Sequence, residues 1–100
     1  MDRLKIMVAH YTIVGERMTK LSEVCVARGA LNSVKEMDDR FSRCVTEDVE
    51  RLKKDPNNVN VTELDITDNI KHVSFTSVNG SHVLLNGKHV LEYYLTIVSD

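Results

Sequence analysis

Apolar residues between Leu4 and Leu52 recur at steps of three and four. The first half of the set is Leu4, Met7, Tyr11, Val14, Met18, Leu21 and Cys25. The second is Leu31, Val34, Met37, Phe41, Val45, Val49 and Leu52. Such spacing is the stripe of an amphipathic helix, close to heptad spacing in its first half. It predicts one helix over 3–28 and a second over 33–54. The second would run about 33 Å at 1.5 Å per residue. Gly29 separates them, as a residue free to take positive φ at a helix end. Ser33 and Glu36 have the spacing of a capping box at the second helix's start. Pro56 ends that helix, because the residue before proline avoids helical backbone.

The expected arrangement is an antiparallel helical hairpin with a coiled-coil-like seam, and a single rod kinked at Gly29 is the alternative. Two features oppose the first helix. Ile6, Val8, Ile13 and Val14 are β-branched and favour strand, and Gly15 costs about 1 kcal/mol inside a helix. A strand over 4–14 is therefore the rival reading. The second helix also carries acid-before-base pairs at four-residue spacing, among them Glu36–Arg40 and Glu47–Arg51, which describe a solvated face.

After the turn cluster Asp55-Pro56-Asn57-Asn58 the period changes. Val59–Ile66 alternates weakly. His72–Val78, Ser81–Leu85 and Lys88–Val98 read as strands separated by Asn79-Gly80 and Asn86-Gly87, which favour tight hairpin turns. In that β-meander one face collects Val73, Phe75, Leu84, Leu91, Tyr93, Leu95 and Ile97. The other collects Ser74, Thr76, Val78, Ser81, Val83, Lys88, Val90, Glu92, Tyr94 and Thr96. The last strand is too long for the middle one. Tyr93–Val98 then needs another backbone partner: the Val59–Ile66 strand, the N-terminal segment as a strand, or a second copy of the chain.

The fold class expected is α+β: two long helices packed on a small, mainly antiparallel C-terminal β-meander. A single domain spans 1–100, with 3–54 as its helical part and 59–98 as its β part. The chain's 100 residues suit one compact unit with a modest core.

Charge adds an asymmetry. Residues 1–54 hold eleven Lys/Arg and nine Asp/Glu, a balance of +2, and residues 55–100 hold two Lys and six acids, a balance of −4. Neither is enough to demand nucleic acid or an anionic membrane. No apolar run reaches the ~20 residues of a membrane span, and no cleavable leader is read at the N-terminus. Cys25 and Cys44 read as reduced core thiols of a cytoplasmic protein.

Candidate chemistry is sparse. His82 and His89 fall on the apolar face of the meander without a third ligand, and His10 and His72 show no partner. Neither cysteine has a neighbouring histidine in sequence, and four scattered glycines build no phosphate loop. The residues imply no catalytic set, no metal and no cofactor. The functional expectation is a non-enzymatic protein-interaction module, a homo-oligomer that binds or blocks a protein partner. Leu4, Tyr11, Met18 and Leu21 would form its helical contact, and Tyr94, Thr96 and Val98 its strand contact. The alternative is a small-ligand binder, for example of a nucleotide, with a pocket near His82, His89 and Tyr93. A weaker alternative is a nucleic-acid accessory factor using Arg40, Arg43 and Arg51, whose interleaved acids count against it.

Overall fold

The computed structural model describes residues 2–78 and 86–99. In chain order they form β1 (Asp2–Val14), β2 (Arg17–Ala30), a 3-10 turn (Leu31–Ser33), α1 (Val34–Lys54), β3 (Asn58–Thr67), β4 (Ile70–Ser77) and β5 (Gly87–Ser99). The strands make one antiparallel sheet in the order β2-β1-β5-β4-β3. α1 packs on one face of it; the other face carries no helix among the described residues.

The expected first helix is a β-hairpin, so the two-helix fold, the helical hairpin, the coiled coil and the kinked rod are all overturned. The cause lies in where β1 sits. It runs inside the sheet, between β2 and β5. Leu4, Ile6 and Val8 pack into the core beneath α1, while Met7, Ala9 and Tyr11 alternate to the opposite face. A strand with apolar residues on both faces has no polar side to mark its period. A step of seven can then be picked out of an almost continuous apolar run. Gly15, awkward inside a helix, is the first residue of the two-residue turn between paired Val14 and Arg17. Its φ of +62° is the only positive φ in that turn, the pattern of a type II′ hairpin.

α1 is the expected second helix. It buries Met37, Phe41, Val45 and Val49 against Leu4, Ile6, Val73 and Tyr93, the four-residue rhythm of one helical face. Its first turn differs from expectation. Ser33 makes no side-chain cap to the helix; its hydroxyl donates to the Ala30 carbonyl at 2.6 Å. Arg51 pairs with Asp48 rather than Glu47. Where β2 gives way to α1 the backbone passes close under the helix. A Cβ on Gly29 would stand 2.7 Å from Met37 Sδ.

In the C-terminal part β4 and β5 pair directly, with Ser77 opposite Gly87, Phe75 opposite His89 and Val73 opposite Leu91. β1 occupies the other side of β5. Both sides of Lys88–Glu92 are thus taken by β4 and β1, where a middle strand over 81–85 was expected on one of them; residues 79–85, including Asn79-Gly80, lie outside the described residues. The long end of β5 is paired by the N-terminal segment as a strand, Tyr93 with Val8 through Val98 with Arg3. It is not left for a second copy. Of the expected apolar face, Val73, Leu91, Tyr93 and Leu95 pack in the core cluster, whereas Ile97 is 63% exposed and Leu84 lies outside the described residues; Tyr94 and Thr96 alternate to the open face. β2 and β3 are the two edges. β3 is broken by two register shifts and holds Asn60 at φ +57°. Among the described residues no helix is long and apolar enough to cross a membrane.

Candidate interaction surface

β2 reads Arg17-Met-Thr-Lys-Leu-Ser-Glu-Val-Cys-Val-Ala-Arg-Gly-Ala30, with apolar and charged positions mixed along it. α1 starts against Gly29 and ends near the opposite edge, where Asn58 Nδ2 donates to the Leu52 carbonyl at 3.3 Å. That diagonal leaves most of β2 uncovered. Every residue from Arg17 to Val26 is exposed, and Ala27 is the first to be partly shielded. Met18, Leu21, Val24 and Val26 each keep between 46% and 51% of their surface in solvent. No strand among the described residues pairs with the outer side of β2.

Two register shifts bend this edge, and the extra residues are Val26 and Leu21. A bulge adds one residue and so changes which side chains share a face. In a regular strand Lys20 and Glu23 would point to opposite faces. With Leu21 inserted they share one, and Lys20 Nζ is hydrogen-bonded to Glu23 Oε2. The Tyr94 hydroxyl donates to the other oxygen of Glu23, reaching from β5 over β1 to β2. The Lys20 ammonium also stands 5.8 Å from the centre of the Tyr11 ring. The hydrogen bond from Lys20, and then that from Tyr94, hold the Glu23 carboxyl below its ordinary value. The Glu23 bond in turn raises Lys20 and lifts the Tyr94 hydroxyl to about 12. Further along the open face His72 Nε2 lies 2.8 Å from Glu92 Oε2.

On the helix side the polar groups are turned inward. Tyr93 is fully buried and donates to Asp48 Oδ2 at 2.6 Å; burial, reinforced by that bond, pushes its hydroxyl up. Burial, with Asp48 and Glu47 nearby, pushes the Cys44 thiol up, the opposite of what a nucleophilic thiol needs. His89 stacks on Phe75 with centroids 5.2 Å apart. His10 Nε2 meets His89 Nδ1 at 2.9 Å, and burial, then His89, lowers His10.

The residues singled out in the sequence scatter over this frame. Leu4 is core, at 4% exposure. Tyr11 lies on the open face beneath Lys20. Met18 and Leu21 lie on the exposed edge, so two of the four expected helical contacts are surface residues of a strand. Tyr94 is tied to Glu23; Thr96 and Val98 sit further along β5 on the same face. The pocket expected near His82, His89 and Tyr93 is not assembled. His89 and Tyr93 are 1% and 0% exposed and bonded to His10 and Asp48, and His82 lies outside the described residues. Arg40 and Arg43 line a surface depression on α1 shared with Glu36, Glu47 and Asp48, so its charge is mixed. His10 and His72 have partners that the sequence did not disclose, since both pairings join strands. The pairing of Lys20 with Glu23 and the exposure of Cys25 were hidden for a related reason: a helix over 3–28 conceals a sheet edge. Among the described residues no group of three or more His, Cys, Asp or Glu is placed to hold a metal. Cys25 is a free, exposed thiol and Cys44 a free, half-buried one.

No protein-family model, curated protein or solved structure matches the chain.

Proposed function

We propose that the protein is a non-enzymatic interaction module that works by self-association, with the exposed edge of β2 as its contact. The observation that supports this reading is the state of residues 17–26. Ten consecutive residues of a strand lie bare, with four large apolar side chains about half exposed. A long apolar edge is a template for another strand, and burying those side chains removes apolar surface from water. The charges and bulges of β2 do not cancel this; they restrict which pairing it accepts. A cytoplasmic location belongs to the same reading and is supported by the exposed free thiol of Cys25.

The test is sedimentation velocity and light scattering from micromolar to millimolar concentration. Mass should rise with concentration, and Leu21→Lys with Val24→Lys should abolish the rise while the circular dichroism spectrum stays the same. A chain that remains monomeric throughout overturns the reading.

A further inference from the structure

We propose that two copies pair antiparallel along residues 17–26 of β2, about a two-fold axis that passes between Leu21 and Ser22. The inference rests on the self-association reading and gives it a register. In this pairing Met18 lies opposite Cys25 of the second copy, Thr19 opposite Val24, Lys20 opposite Glu23 and Leu21 opposite Ser22.

Three observations converge on that axis. The exposed stretch runs from Arg17 to Val26, and its midpoint is the Leu21–Ser22 bond. The turn at Gly15 bounds it on one side and the Val26 bulge on the other.

Facing residues must share a face of the joint sheet, and a two-fold axis normal to the sheet preserves faces. In a regular strand neighbouring residues alternate, so an axis between two residues is forbidden. The Leu21 bulge removes that prohibition. It places Lys20 with Glu23 and Met18 with Cys25 on the open face, and Thr19 with Val24 on the helix side, following their β1 partners Tyr11, Ala9, Ile13, Met7, Thr12 and Val8. A bulge that would spoil pairing with an arbitrary strand thus suits a second copy of the same strand.

The charges agree with the register. Lys20 meets Glu23 twice across the axis, forming a four-charge cluster from two existing pairs. The other edge lacks this property: β3 carries Glu63 and Asp65 and no base, so self-pairing there would set acids beside acids. The two-fold contact also closes on itself. Each β2 edge is used once, and a ten-stranded sheet results rather than an open fibre.

Cysteine cross-linking with charge reversal tests the register on the full-length chain. Facing residues of an antiparallel pair have Cα atoms about 4.5–5.5 Å apart, within reach of a disulfide. Within one extended strand residues 18 and 25 stand roughly 20 Å or more apart at ~3.3 Å per residue, so a link between them must join two chains. Met18→Cys should oxidise to a covalent dimer whose peptide map shows position 18 joined to Cys25. Thr19→Cys, facing the other side, should not exceed the wild-type rate. Lys20→Glu and Glu23→Lys should each weaken association about tenfold, and the double swap should restore it to within about threefold of wild type. Self-association without the 18–25 link, or without recovery in the double swap, overturns this register and leaves the broader reading standing. A wild-type chain that never associates overturns both.

Discussion

Replacing Gly29 by alanine isolates the point where sheet and helix approach most closely. The added methyl would lie 2.7 Å from Met37 Sδ, 3.0 Å from Met37 Cγ and 3.0 Å from Ser33 Oγ. Ordinary carbon contacts are about 3.5–4.0 Å. Met37 is 1% exposed, so it moves only by displacing the packing around it. Overpacking of this kind costs about 1–3 kcal/mol. Loss of glycine's freedom in the unfolded chain offsets about 0.4–1 kcal/mol. The net expectation is a loss of about 1–2 kcal/mol, read as a lower urea midpoint at unchanged slope. For a chain of this size that is a fall in Tm of roughly 5–15 °C. Met37→Ala supplies the control. Alone it opens a cavity and costs about 2–5 kcal/mol. With that space available, adding Gly29→Ala should cost nothing or recover part of the loss, a coupling of at least ~1 kcal/mol. The reasoning fails if Gly29→Ala is neutral or stabilising alone, or if it costs the same in both backgrounds.

Further outcomes follow from the same packing. Phe41→Ala should cost about 3–5 kcal/mol, because Phe41 is 2% exposed at the centre of the helix–sheet contact; this is a large share of a small domain's stability, and calorimetry reads it directly. Tyr93→Phe should cost about 1.5–3 kcal/mol in urea unfolding, since it removes the donor to Asp48. In an ultraviolet titration Tyr93 should remain unionised until the fold melts, its hydroxyl being raised by burial. His10 is lowered by burial and by His89, so the fold favours its neutral form. Its contribution is complete above about pH 6.5 and is lost as pH falls below that value. Unfolding measured across that range should show stability dropping toward acid, and His10→Gln should flatten the slope.

How much of this was legible in the chain varied with the environment of each element. α1 was readable because one face is buried and the other wet, so Met37, Phe41, Val45 and Val49 stand out from charged neighbours. β5 was readable in its faces because Tyr93 and Glu92 differ as their surroundings do. Its neighbours were not readable, since Asn86-Gly87 suggested a local partner whereas β1, from the far end of the sequence, supplies one side. β1 and β2 were misread for opposite reasons. β1 has apolar residues facing both ways, so alternation carries no signal. β2 is exposed on both faces over 17–26, so its apolar residues follow no core. Their lengths, 13 and 14 residues, also exceed the usual strand of about 5–6 and suit a helix better. Gly15 and the β-branched residues before it held the correct answer, and turn chemistry outweighs a seven-residue rhythm when the two disagree. The pairing of Lys20 with Glu23 across a bulge had no sequence signal, because bulges are set by contacts with the neighbouring strand.

In the proposed dimer a second copy covers the bare edge of β2. Amide hydrogen exchange of residues 17–26, followed at rising protein concentration, tests it most directly. Amides along the outer side of β2 should exchange rapidly in dilute solution and become protected as concentration increases, while those of β4 stay unchanged. Exchange along β2 that is independent of concentration, in a chain whose β1 and β5 amides are protected throughout, would contradict the account.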